Sequence, residues 1–129
     1  MLEQEGYDVM GAAFEVYNTM GAGFLEEVYQ QSLEIELRHR GIPFEAQKEL
    51  ALYYKVDRLN KTYIADLVVF GSMILELKAL VCLAPEHIAQ IINYLKASRL
   101  SVGYVINFGA PGKLEWKRVI YTGAKRDKT

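Results

Sequence analysis

Two carboxylates and an amine stand inside two short apolar runs of this 129-residue chain. Asp66 lies in Tyr63-Ile64-Ala65-Asp66-Leu67-Val68-Val69-Phe70, and Glu76 and Lys78 lie in Met73-Ile74-Leu75-Glu76-Leu77-Lys78. Charges in runs this apolar are costly to bury unless they are paired or bind a metal. Side chains alternate faces along a strand, so Glu76 and Lys78 share one face while Leu75 and Leu77 take the other. If the two runs pair, Asp66 joins the same cluster. Two carboxylates offer hard oxygen ligands suited to Mg²⁺ or Mn²⁺, and Mg²⁺ keeps waters and accepts phosphate oxygens. A lysine two residues from a ligand can orient or help deprotonate an attacking water, or neutralise charge on a phosphoryl group. On spacing alone, Asp-x₉-Glu-x-Lys is more often a cross-strand ion pair at a sheet surface. The apolar flanks strengthen the metal reading without making it the leading one on these residues alone.

Two further groups bear on this cluster. Glu26 and Tyr29, in Gly23-Phe24-Leu25-Glu26-Glu27-Val28-Tyr29, share a helix face, with Leu25 and Val28 as apolar neighbours that tilt Glu26 toward the protein. A helix-borne carboxylate there would complete a metal site. The simpler account is an acidic first turn favoured by the helix dipole. Gln90 and Tyr94 lie one helical turn apart, with Glu86 and His87 a turn earlier. This polar strip can contact a phosphate or position the water, or it is the solvated edge of an amphipathic helix. His39 and His87 have no Cys/His ligand spacing, so zinc is not expected, and Cys82 has no visible histidine partner for nucleophilic chemistry.

These residues need elements to carry them. Val9, Ala12, Ala13, Val16 and Met20 recur at helical spacing, and Gly21-Ala22-Gly23 interrupts the stripe. A second helix is expected over residues 24–40, ended by Gly41-Ile42-Pro43. The period then changes: Phe44, Ala46, Lys48, Leu50, Leu52 and Tyr54 alternate with Glu45, Gln47 and Glu49, which predicts a strand with one wetter face. Asp57-Arg58-Leu59-Asn60 reads as a turn, and Gly71-Ser72 as the turn of a hairpin joining Tyr63–Phe70 to Met73–Lys78. Pro85 opens a third helix, whose stripe is Ile88, Ile91, Ile92 and Leu95. Strands follow over 100–108 and 114–121, around the turn Gly109-Ala110-Pro111-Gly112. The order α-α-β-β-β-α-β-β predicts an α/β fold, a mixed central sheet flanked by helices. One domain is expected over 1–121, with a polar tail, 122–129, that frays.

Composition narrows the setting. A 51% hydrophobic and 24% charged chain is globular, not disordered. The net charge of −1 offers no global basic field for nucleic acid. A single cysteine excludes an internal disulfide and fits a reducing compartment, and no run is apolar over a membrane-spanning length. A cytoplasmic protein without membrane contact is the expectation.

Taken together, the residues resemble the GxxExxY family, a branch of the PD-(D/E)XK nuclease superfamily. Gly23, Glu26 and Tyr29 match the motif that names the family. Tyr63-Ile64-Ala65-Asp66-Leu67 and Ile74-Leu75-Glu76-Leu77-Lys78 resemble the two core motifs, and Gln90-Ile91-Ile92-Asn93-Tyr94 the Gln-x-x-x-Tyr element after the core. The likeness extends to Ile106-Asn107-Phe108-Gly109. One departure is Ala65, where the superfamily has proline. The resemblance implies a restriction-endonuclease-like core. It makes Glu26, Asp66, Glu76 and the Leu77 backbone carbonyl ligands for Mg²⁺ or Mn²⁺, with Lys78 assisting the water. Tyr29, Gln90 and Tyr94 would support the site or contact phosphate. The implied activity is metal-dependent hydrolysis of phosphodiester bonds in DNA, and a homodimer is expected by analogy. The rival reading is a non-catalytic module that keeps the fold to bind nucleic acid or protein.

Overall fold

The computed structural model describes residues 1–123; most of the expected tail, 124–129, lies outside them. The first two helices are α1, Glu3–Met20, and α2, Glu26–His39. Strands β1, Phe44–Tyr54, β2, Asp57–Val69, and β3, Met73–Lys78, follow. Helix α3, Pro85–Ser98, then leads to β4, Val102–Asn107, and β5, Glu115–Ile120. The five strands stand side by side in chain order. All neighbours are antiparallel except β3 and β4, which α3 joins as a crossover. This is the expected mixed sheet between helices, in the expected order.

Local chemistry explains the boundaries. Gly41, at φ +68°, ends α2: its N–H bonds Arg38, and the next N–H, of Ile42, bonds Leu37, which satisfies the last carbonyls. Pro85 stands at the first turn of α3, where it has no N–H to lose, and the preceding Ala84 N–H donates to His87 Nδ1 at 2.9 Å. His87 is thus spent on capping.

Three expectations change. Asp57-Arg58-Leu59-Asn60 is not a turn but the start of β2, because Lys55 takes a left-handed φ of +56° and Lys55-Val56 closes the hairpin. The surplus is absorbed as a bulge, with Leu59, Asn60 and Lys61 opposite Leu52 alone. The next connection also starts one residue early, at Phe70, whose φ is +54°. Finally, β1 does not keep one wet face. Phe44 packs into the core under α1 and α2, whereas Leu50 and Leu52 pack into the core under α3. Even spacing would have put them on one side. Strand β2 switches likewise: Tyr63 and Ala65 face α3, while Leu67 and Val69 face α1 and α2. The flanking pairs Ala46↔Leu67 and Lys48↔Ala65 bring Gln47 opposite Asp66. There Gln47 takes a left-handed φ of +51°, so both strands turn over at that point.

Two glycines let backbone and helix approach closely. A Cβ on Gly109 would lie 2.5 Å from the Leu80 backbone, and one on Gly103 would lie 2.8 Å from Ile91 Cδ1. Backbone cannot yield as a side-chain tip can. Gly109→Ala is therefore expected to lose about 1–3 kcal/mol, and Gly103→Ala less, in chemical denaturation. Equal losses would refute this ordering.

Candidate active site

The regular pairing of β2 with β3 ends at Leu67↔Leu75. Beyond it, side-chain oxygens replace the ladder. The Leu77 N–H donates to Asp66 Oδ2 at 2.8 Å, and the Asp66 N–H donates to Glu76 Oε2 at 3.2 Å. The Tyr63 hydroxyl donates to the same Glu76 oxygen. Meanwhile β3 stays in parallel register with β4 as far as Lys78↔Asn107. Leu75 and Leu77 are buried under α1 and α2, which leaves Glu76 and Lys78 on the opposite face, as alternation requires. Asp66 and Glu76 are thus brought together and half-buried.

Glu26 reaches the group from α2, of which it is the first residue. The lead-in is held by Tyr29. Its buried hydroxyl donates to the Gly21 carbonyl and accepts the Phe24 N–H, and its ring stacks on Phe108 at 4.7 Å. Tyr29 therefore shapes the loop that presents Glu26, and its hydroxyl is already engaged. Gly21 and Gly23 in that loop take φ of +73° and +113°, a region open chiefly to glycine. Tyr94 meets the site indirectly: its ring stacks on Tyr63 with centroids 3.7 Å apart. Gln90 stands one turn earlier on α3, exposed.

Electrostatics set these carboxyls apart from the surface ones. Burial, then the charge of Asp66, pushes Glu76 up to about 7, against hydrogen bonds from Tyr63 and the Asp66 amide and the attraction of Lys78. Burial raises Asp66 as well, opposed by the Leu77 N–H and Lys78. Glu26 is raised by burial and then by Asp66. Burial and the Glu76 charge hold the Tyr63 phenol protonated. Burial thus disfavours the charged form of all three carboxyls despite the attraction of Lys78. Among the described residues no ion pair involves Asp66, Glu76 or Lys78, so the cross-strand ion pair is not formed.

A cleft of about 520 Å³ opens beside Asp66. Glu26, Glu27 and Glu34 line it with the amides of Gln30, Gln31 and Gln47. Among the described residues no three His, Cys, Asp or Glu side chains are already closed into a metal cage. The donor set nevertheless suits a hard divalent cation: carboxylate oxygens, partly buried, pre-oriented by peptide N–H groups and repelling one another.

Several positioning residues escaped the sequence reading. Gln30, four residues after Glu26, donates to the Asp66 carbonyl at 3.0 Å and to Glu34 at 2.9 Å, so it ties α2 to β2. Its place on the helix face of Glu26 was the available signal. Asn107 is fully buried and spends its side chain on the Leu80 backbone, Gly109 and Glu115. Glu115 also accepts the Leu83 N–H, so the pair fixes the segment that leaves Lys78. A lone polar residue in the apolar run 102–108 was its signal. Tyr63 and Gln47 had none, since their roles come from stacking and backbone conformation.

The sequence matches the family model of the PD-(D/E)XK nuclease superfamily over residues 3–119. No curated relative matches it. Among solved structures, the fold is similar to the crystal structure of SSO0001, with a TM-score of 0.54 and 17% sequence identity. That likeness covers 79% of this chain and 54% of the other, so the chain spans about half the length of that protein. At this identity it speaks for the fold alone. Neither α1, α2 nor α3 is long and apolar enough to cross a membrane. With the family model covering most of its length, and a mixed sheet opening onto paired carboxylates, the chain belongs to the PD-(D/E)XK nuclease superfamily.

Proposed function

We propose that this protein is a GxxExxY-type nuclease that hydrolyses phosphodiester bonds in DNA with Mg²⁺ or Mn²⁺. The observation that carries the reading is the gap in the β2–β3 ladder. There Asp66 and Glu76 are held by peptide N–H groups, with Lys78 nearby and no ion pair formed. Asp66, Glu76 and the Leu77 carbonyl would hold the cation, with Glu26 completing its shell directly or through water. When bound, a divalent cation polarises a non-bridging phosphate oxygen and lowers the pKa of water. The chain supplies orientation and charge around that chemistry. Tyr63 and the two backbone amides keep the carboxylates aimed. Lys78 holds the attacking water in line with the leaving oxygen, or offsets charge on the phosphoryl group. Tyr94 braces Tyr63, and Gln90 offers an exposed amide one turn away. Tyr29 keeps Glu26 in place through the glycine loop. The lone cysteine supports a reducing, cytoplasmic setting.

Purified protein is expected to cleave at least one of single-stranded, duplex or branched DNA with Mg²⁺ or Mn²⁺. Asp66→Ala and Lys78→Ala should each reduce the rate by about 100-fold or more. No cleavage of any DNA would overturn the nuclease reading. A protein that binds DNA without cleaving it, and takes up no metal in calorimetric titration, would be the accessory module instead. Cleavage of RNA alone would correct the substrate.

Glu76 also makes stability depend on pH. Its carboxyl sits near 7 in the folded chain and near its ordinary 4.5 when unfolded. The folded state thus holds a proton that the unfolded state releases. Its stabilising contribution is complete below about pH 4.5 and is lost as pH rises through 7, by up to roughly 3 kcal/mol. Without metal, Glu76→Gln is expected to gain on the wild type between pH 5 and pH 8. Saturating Mg²⁺ or Mn²⁺ should raise the wild-type Tm at pH 8 and leave that of Glu76→Gln nearly unchanged. Parallel pH–stability curves for the two proteins would refute it.

A further inference from the structure

The near-zero net charge conceals a division. Residues 1–54 hold ten acidic and three basic side chains, whereas residues 55–123 hold nine basic and five acidic. The acidic half includes α1, α2 and the cleft beside Asp66. Part of the basic half is gathered on the hairpin joining β1 to β2. Every residue from Tyr54 to Lys61 is exposed, whereas Leu52, opposite Leu59 to Lys61, is buried, so the arm consists of the hairpin tip and the β2 side of the ribbon. It carries Lys55, Arg58 and Lys61 against one acid, Asp57. Among the described residues none of the three cations forms an ion pair. The tip is also apolar, with Tyr54 63% and Val56 81% exposed.

The arm is braced. Arg99, at the end of α3 in a left-handed φ of +67°, places its guanidinium 4.4 Å from the Tyr53 ring centroid and donates to the Lys55 carbonyl. Five residues earlier on α3, Tyr94 stacks on Tyr63 beside Glu76. The C-terminal half of helix α3 therefore props the arm at its base through Arg99 and, through Tyr94, braces the Tyr63 that bonds Glu76. Lysine on an edge strand also deters sheet-to-sheet pairing, but Lys55 lies in the turn and Arg58 and Lys61 belong to β2, an inner strand, so that account covers none of the three. The exposed tip and the β2 side present the three cations on an open surface that a DNA backbone can approach. Along β2 the tip lies roughly 30 Å from Asp66, the length of roughly nine base pairs.

We infer that the β1–β2 arm is a docking surface for duplex DNA, with Lys55, Arg58 and Lys61 contacting the phosphate backbone away from the site of cleavage. The inference rests on the nuclease reading for its choice of polyanion. It also meets a need of that reading: the cleft is lined by Glu26, Glu27, Glu34 and Asp66, which repel DNA. Sequence-independent grip then has to come from cations elsewhere. The arm carries no reacting group, so it acts on affinity and not on the chemical step.

The test is fluorescence anisotropy with a labelled DNA duplex in EDTA, which prevents cleavage, as a function of salt. The triple variant Lys55→Gln, Arg58→Gln, Lys61→Gln is expected to bind about 10-fold or more weaker near 100 mM salt. Its slope of log affinity against log salt should be smaller by about 2 to 3. Its far-UV circular dichroism should match the wild type, and its rate on a p-nitrophenyl phosphodiester should be unchanged. Neutralising Arg38, Lys113 and Lys117 instead should have a markedly smaller effect on binding. Wild-type affinity and slope in the arm variant, equal losses in the two variants, or an effect confined to RNA or single strands would overturn the inference. The two readings fail separately. A wild type that cleaves nothing yet loses duplex binding with the arm cations leaves the arm standing. A wild type that cleaves while the arm variant binds unchanged removes the arm alone.

Discussion

The structure turns on one exchange of backbone for side chain inside the sheet. Where β2 and β3 cease to pair, Asp66 and Glu76 accept the N–H groups of Leu77 and Asp66. Amides at a strand divergence need acceptors, and buried carboxylates need donors, so each meets the other's requirement. The arrangement fixes two carboxylates in orientation without neutralising them. It also explains why a sheet this apolar tolerates charge in its middle strands. A continued ladder would have used the same amides and left the acids to be aimed by rotamer alone.

The neighbouring elements serve that gap. Gln47 and Asp66 face one another where β1 and β2 exchange faces, so both cores stay filled while the strands twist apart at the site. Gln30 ties α2 to the Asp66 carbonyl, and Tyr29 holds the glycine loop at the start of that helix. On the far side, the parallel β3–β4 register and the Asn107–Glu115 network determine how the chain departs from Lys78. Among the described residues no buried side-chain polar atom lacks a partner, so this polar framework is a satisfied one.

The carboxyls of Glu26, Asp66 and Glu76 are all raised, chiefly by burial. In stability alone this is unfavourable: each anion at neutral pH opposes folding. An acidic ion-pair network would show the reverse, with carboxyls depressed by their partners. Perturbed carboxyls beside an open cleft are instead a pattern found at functional sites. On the proposed reading, the same acidity would separate binding from chemistry, because a centre that repels phosphate needs help from distant positive charge.

Much of this was legible in the residues. Helical spacing at Val9 to Val16, the glycine and proline stops, and the apolar runs around Asp66 and Glu76 set the elements and their order, because burial of one face imposes its own period on a sequence. The family resemblance singled out Glu26, Asp66, Glu76 and Lys78 with Gln90 and Tyr94, and the structure brings Glu26, Asp66 and Glu76 together while Tyr94 meets them only through Tyr63. Alternation along one strand was enough to set Glu76 and Lys78 on one face. The tertiary structure alone decided three things: the reversal of faces at Gln47 and Asp66, the replacement of ladder bonds by carboxylates, and the contacts of Tyr63 with Glu76 and Tyr94. Each depends on a left-handed residue or on groups distant in sequence meeting across strands, and periodicity carries no record of either. Local pattern determined which residues each element offers, and long-range packing determined what they face.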